Sequence, residues 1–203
     1  MTQKKTLIAL LTGVLMLAAG AGVALWLYKP EPKSKTFFGE LPDIGGAYSV
    51  LDETGAISTD QSFPGKYRIY FFGFTHCPDV CPTALGTIAA ALDGMGGKAD
   101  AFVPLFVTVD PERDTPEIVK DYTDAFDPRI IGLTGSVEQI TGLAKSFKIY
   151  FRKVPQGDSY TMDHSGFIYV MNPEGKFVAF FKHEDTPERI TTGLRQVLSK
   201  AGA

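Results

Sequence analysis

The chain of 203 residues carries two cysteines and three histidines. Both cysteines fall in Thr75-His76-Cys77-Pro78-Asp79-Val80-Cys81-Pro82, after an apolar β-rich run and where a helix should begin. A helix N-terminus offers unpaired N–H groups and the positive end of the dipole, and both favour a thiolate. The four-residue spacing lets one helical turn bring the two sulfurs to one side. Three chemistries are open to the pair. A permanent disulfide across so short a loop adds little restraint. A catalytic dithiol is compatible, although redox pairs are usually spaced C-x-x-C. A metal site needs a third ligand from elsewhere in the chain.

The histidines narrow that search. His76 adjoins Cys77, so its side chain should diverge from the thiol and support or pack. His183 sits among Lys182, Glu184 and Asp185, in what reads as a solvated turn. His164, in Tyr160-Thr-Met-Asp163-His164-Ser165-Gly166, reads as lying on a loop before a strand. It is the best ligand candidate, with a plain surface role still open. Two thiolates and an imidazole suit one soft ion: Cu(I) in three-coordination, zinc with a fourth ligand, or Cu(II) with an added oxygen or nitrogen. Oxidising Cys77 and Cys81 to a disulfide would abolish such a site. Met162 offers a thioether, but core filling is its ordinary use. Asp110-Pro-Glu-Arg113-Asp114-Thr-Pro116 is a charged loop at the end of an expected buried strand, where α/β sheets gather functional groups. Helix capping and a surface ion pair account for 114–116 but not for Asp110, a candidate to support the site or touch a partner.

The elements that must position these residues follow from periodicity and turn signals. An alternating run at 47–51, a turn at 52–55 and a short run from 56 predict a hairpin. Runs at 66–72 and 102–109 predict buried strands. Between them, Leu85, Ile88, Ala89 and Leu92 predict one apolar helix face over 82–92, ended by Gly94 and Gly96-Gly97. Thr115-Pro116 opens a helix to about 126 as cap and first residue. A short strand follows at 129–133, then a helix from the Ser136 cap to about 147. Strand character resumes over 147–154. Strand, turn and strand occupy 165–171, 172–175 and 176–181, and Thr186-Pro187 starts a last helix to about 200. Strands alternating with helices and a closing antiparallel pair imply an α/β domain with a central mixed sheet.

Composition excludes other classes. Five of the 20 basic residues lie in 1–35 beside one of the 23 acids, leaving 15 bases and 22 acids in the remainder, a net charge of −7. An acidic body has no surplus with which to meet phosphates, so no nucleic-acid partner is expected. Residues 6–28 are 23 residues without a charge, about 34 Å as helix against a bilayer core of about 30 Å. Trp26 and Tyr28 stand at the far end, where interfacial aromatics belong. The expected organisation is a cytoplasmic stretch at 1–5, a transmembrane anchor at 6–28, a Pro-containing linker at 29–36 and a folded domain at 37–203. A cleaved signal peptide is the rival, with Ala18, Ala19 and Ala21 small enough for a cleavage site, but the apolar run exceeds the usual length. Either places the domain outside the cytoplasm. Residues 1–35 hold no Arg, which does not look like a transit peptide and favours a bacterial inner membrane with the domain in the periplasm.

Phe71-Phe-Gly-Phe-Thr-His-Cys77-Pro-Asp-Val-Cys81-Pro82, Val109-Asp-Pro-Glu-Arg-Asp-Thr-Pro116, and Asp163-His164-Ser165 ahead of a strand ending in Asn172-Pro-Glu-Gly175 together resemble the Sco/SenC family of copper chaperones. The likeness spans about 40–200. It implies a thioredoxin-like fold with an N-terminal β-hairpin, preceded by one transmembrane helix. It implies copper held by Cys77, Cys81 and His164. It further implies delivery to the CuA centre of cytochrome c oxidase, on the CuA-bearing subunit, or reduction of the thiols that receive the metal, with copper-donor and thiol-reductant proteins as other partners. A thiol–disulfide reductase and a redox or copper sensor remain as alternatives using the same pair.

Overall fold

The computed structural model describes residues 43–200 and Gly202. The expected anchor at 6–28, the linker at 29–36 and the first residues of the domain lie outside these. Among the described residues no helix is long and apolar enough to cross a membrane.

Nine strands and four α-helices are described, with a short 3₁₀ turn at Gly96–Ala101. Strands β1 (Ser49–Asp52) and β2 (Ile57–Thr59) form the expected hairpin. Its turn closes on Asp52, whose Oδ1 accepts from the N–H groups of Thr54 at 2.8 Å and Ala56 at 3.1 Å. Strands β3 (Tyr67–Gly73) and β4 (Phe102–Thr108) run parallel in register from Tyr67↔Phe102 to Gly73↔Thr108. β5 (Ile131–Thr134) joins β4 in parallel and β1 antiparallel. β8 (Phe167–Met171) and β9 (Phe177–Lys182) add an antiparallel pair on the other side of β3. The sheet order is β2-β1-β5-β4-β3-β8-β9, a central mixed sheet with flanking helices. Strands β6 (Phe151–Gln156) and β7 (Ser159–His164) stand apart as a two-stranded sheet.

The helices follow from caps and apolar spacing. α1 (Val80–Met95) buries Leu85, Ile88, Ala89 and Leu92, the face its periodicity predicts. It passes Gly94 and stops at Gly96, whose φ of 59° suits a residue without Cβ. α2 (Pro116–Asp124) begins at Thr115, whose side chain accepts from the Ile118 N–H at 3.4 Å. α3 (Val137–Ser146) carries a capping box, Ser136 and Gln139 each taking the other's N–H. α4 (Pro187–Lys200) packs on α1, where Thr191 Oγ1 donates to the Ala91 carbonyl at 2.9 Å. α2 lies on β5 so closely that a Cβ at Gly132 would stand 2.2 Å from Val119 Cγ1.

All seven residues of β3 are buried, with Phe71, Phe72 and Phe106 of β4 at the centre. Two expectations need correction. Phe147 does not begin a strand: it caps α3, Lys148 takes a left-handed φ of 56°, and the Ile149 N–H returns to the Ala144 carbonyl at 2.8 Å. That turn delays strand pairing to Phe151. The residues before His164 are no loop either. Arg152↔Asp163 and Phe151↔His164 are ladder pairs, so His164 is the last residue of a strand.

Candidate metal centre

The parallel strands β3 and β4 bring their C-terminal ends to one edge, and the two informative loops leave from there. A tight turn follows β3, in which the Cys77 N–H donates to the Phe74 carbonyl at 3.2 Å. It sets Cys77 just ahead of α1 and Cys81 in its first turn. Asp79, at the N-cap position, makes no side-chain cap bond. The Cys77 sulfur takes that place and accepts the Cys81 N–H at 3.4 Å. Cys81 is fully buried and Cys77 half-buried, and both are free thiols. Gly73 makes room: a Cβ there would come within 2.6 Å of Cys81 Sγ and 2.9 Å of the Phe106 ring.

His164 arrives from β7. Its Nε2 lies 3.4 Å from Cys81 Sγ. Its Nδ1 lies 3.1 Å from the Ser165 carbonyl, which can only accept. Nδ1 therefore carries the proton of the neutral ring and Nε2 turns its lone pair to the thiols. Such a bond on the far nitrogen is the usual support of a metal-ligating histidine. The rings of Phe74 and Phe71 meet the imidazole edge-on, at 5.8 and 6.3 Å between centroids.

Among the described residues, Cys77, Cys81 and His164 form a group able to hold a metal ion, their ligand atoms all within 4.8 Å of one another. Metal–ligand bonds of about 2.0–2.3 Å in a trigonal plane place the ligands roughly 3.5–4 Å apart. The observed spacing needs little closure to reach that. The donor set is soft, as Cu(I) prefers.

The two thiols are electrically unequal. Hydrogen bonding from the Cys81 thiol, with lesser help from the N–H groups of Asp79 and Cys81, holds Cys77 well below the ordinary thiol range despite partial burial. Sharing that bond, then burial, pushes Cys81 upward. The pair thus ionises first at Cys77, and Cys81 keeps its proton until a metal or an oxidant removes it.

Asp110 is 1% exposed. Its Oδ1 accepts from the Tyr160 hydroxyl at 2.9 Å and its Oδ2 from Arg113 Nε. It therefore lies behind the hairpin, outside the three-ligand group. Asp114 departs from expectation: it is wholly buried, not part of a surface ion pair. It accepts from the Thr75 N–H at 3.0 Å, the Thr75 hydroxyl at 2.6 Å and the Thr108 hydroxyl at 2.5 Å. His76 is mostly exposed, its Nδ1 3.1 Å from Thr75 Oγ1, and Met162 is buried. His183 is half-buried rather than solvated, with its N–H on the Gly166 carbonyl at 2.9 Å. The roles of Thr75 and Tyr160 escaped the sequence reading, because their partners lie 39 and 50 residues away and only the loop after β4 brings them together.

Known proteins resemble this chain in sequence and fold. The chain is 39% identical over 194 residues to Protein sco1 of Schizosaccharomyces pombe, covering 89% of this chain and 74% of that one. Its fold matches the crystal structure of Arabidopsis thaliana ScoI with copper bound, with a TM-score of 0.74, 40% identity, and 77% and 99% of the two chains covered. It also matches Bradyrhizobium japonicum ScoI with copper bound, at a TM-score of 0.70 and 45% identity, over 75% and 98%. The SCO1/SenC family model matches residues 39–199, and with the dithiol and His164 gathered at one sheet edge, the chain belongs to the SCO1/SenC family.

Proposed function

We propose that this protein is a copper metallochaperone, anchored by residues 6–28 in the inner membrane of a bacterium with its domain in the periplasm, delivering one copper ion to the CuA centre during cytochrome c oxidase assembly. The observation that carries the copper reading is the convergence of two sulfurs and one imidazole within 4.8 Å; copper bound to relatives at 40% and 45% identity supports it. Copper here is cargo. The half-buried Cys77 is the ligand an acceptor thiolate reaches first, and Cys81 and His164 hold the ion until ligand exchange completes. The test is an anaerobic Cu(I) competition titration of the reduced protein beside its His164→Ala form. One equivalent bound tightly, and weakened by the substitution, is the expected result. Weak binding indifferent to His164 would overturn the reading.

The unequal thiols favour a second reading, reduction of partner disulfides. The Cys77 thiolate attacks a partner disulfide, forming a mixed disulfide and releasing one partner thiolate. Cys81 then loses its proton and attacks the Cys77 sulfur, expelling the second partner thiolate and leaving a Cys77–Cys81 disulfide. Two electrons pass to the partner. Turnover retained by His164→Ala with copper binding lost would favour this reading over delivery.

A further inference from the structure

The hairpin bearing His164 shares no ladder with the seven-stranded sheet. A lone two-stranded hairpin is marginal in water, so contacts beyond its own ladder must fix its angle to the sheet. At its base, the Ser165 N–H donates to the Tyr150 carbonyl at 3.0 Å. Toward its tip, Tyr160 lies four residues before His164 and on the same face of β7, since strand side chains alternate. Tyr160 is held at three points. Its hydroxyl donates to buried Asp110 at 2.9 Å, the Arg113 guanidinium lies 3.8 Å from the ring centroid, and Arg113 Nη1 donates to the Tyr160 carbonyl at 3.1 Å. Lys153, on the opposite strand, also lies over the ring at 4.5 Å and pairs with Glu112.

Both ends of the metal group are tied to the same short loop. Asp114 holds the turn of Cys77 through Thr75, while Asp110 holds the hairpin of His164 through Tyr160. Thr108 joins the two carboxylates, donating its hydroxyl to Asp114 and accepting the Asp110 N–H at 2.9 Å. The loop therefore works as a gauge: its length fixes how far the hairpin stands from the thiols.

Resting on the copper reading above, we propose that Tyr160, clasped by Asp110 and Arg113, is a positioning residue that sets the place of His164 relative to the Cys77–Cys81 pair. Four residues of strand put the clasp about 13 Å from His164. Freeing it lets β7 twist about its own length, and the imidazole, on the same face as the Tyr160 ring, turns with it. The thiols, held separately by Thr75 and Asp114, stay where they are.

The experiment compares the reduced full chain with Tyr160→Phe, His164→Ala and the double variant, and uses Arg113→Gln as a second way to open the clasp. Tyr160→Phe keeps the ring and loses only the hydroxyl, so the fold should survive. Outer-shell partners of a metal ligand are typically worth about 10–100-fold in affinity. We expect Tyr160→Phe to weaken Cu(I) about tenfold, to add nothing in the His164→Ala background, and to leave the alkylation rate of Cys77 unchanged. Amide hydrogen exchange over 159–164 should speed up in the copper-free variant. Weakening that persists in the His164→Ala background, or a changed Cys77 rate, would mean general loosening and overturn the proposal. So would unchanged exchange over 159–164 in both clasp variants, whatever copper does. If His164→Ala alone leaves Cu(I) affinity intact, the copper reading fails instead, and exchange still decides the clasp.

Discussion

Cys77 and Cys81 stand between a strand buried along its whole length and a helix packed on another helix, whereas His164 ends a hairpin outside the main sheet. The thiol side is braced by core: Gly73 admits the Cys81 sulfur against Phe106, and wholly buried Asp114 holds the turn. Beyond its backbone ladder and base, the histidine side rests on the clasp of Tyr160 by Asp110 and Arg113, on buried Met162, on the edges of Phe71 and Phe74 and on the exposed Lys153–Glu112 pair. The group thus joins one half fixed by core packing to one half whose position a few contacts control.

That contrast can be broken in graded ways. Cys81→Ser should remove Cu(I) binding altogether, since it deletes the buried soft ligand, while His164→Ala should leave a weaker two-sulfur site; equal losses in competition titrations would erase the distinction. Asp114→Ala takes the buried acceptor away from two hydroxyls and an N–H, and should cost about 3 kcal/mol in urea unfolding. An unchanged urea midpoint would show the thiol turn to be held by something else. Proton chemistry sharpens the comparison next. Cys77 is depressed in the fold, chiefly by the Cys81 thiol, so its thiolate is already formed at neutral pH. Its iodoacetamide rate should stay nearly flat from pH 6 to 8, where an ordinary thiol gains about tenfold per unit below its pKa of about 8.5. Because the folded value lies below the unfolded one, the stability this thiolate contributes is complete above the unfolded pKa and is lost as pH falls through the folded one. A tenfold rise per unit would remove the asymmetry of the pair. The smallest effect belongs to Arg152→Ala, which breaks only the exposed pair with Asp163; no measurable change in urea midpoint is expected.

Local signals in the sequence had uneven reach. The apolar runs at 66–72 and 102–109, the Thr115 and Ser136 caps and the 52–55 turn each act within a few residues, and the elements they mark are present. Phe147 misled because its apolar character serves equally as strand or as helix cap; only the left-handed Lys148 decides. The strand ending at His164 was hidden because Ser159-Tyr-Thr-Met-Asp-His164 mixes polar residues with apolar ones, as a half-exposed hairpin must. At the metal group, Cys77, Cys81 and His164 were legible through residue type and family resemblance. The roles of Asp114, Thr75 and Tyr160 were not, since an aspartate at a helix start reads the same whether it faces solvent or a buried hydroxyl.

The turn joining β6 to β7 has two residues, Gly157 and Asp158, with Gly157 at a φ of 59°, as a tight type II′ hairpin requires. It lies beyond the last ladder pair, Gln156↔Ser159, at the end of the hairpin remote from His164. Loop tips of this kind absorb added chain cheaply. A reporter group or a few extra residues grafted between 157 and 158 would ride on the histidine arm without entering the ladder, so that any movement of the arm when Cu(I) is added could be followed in real time.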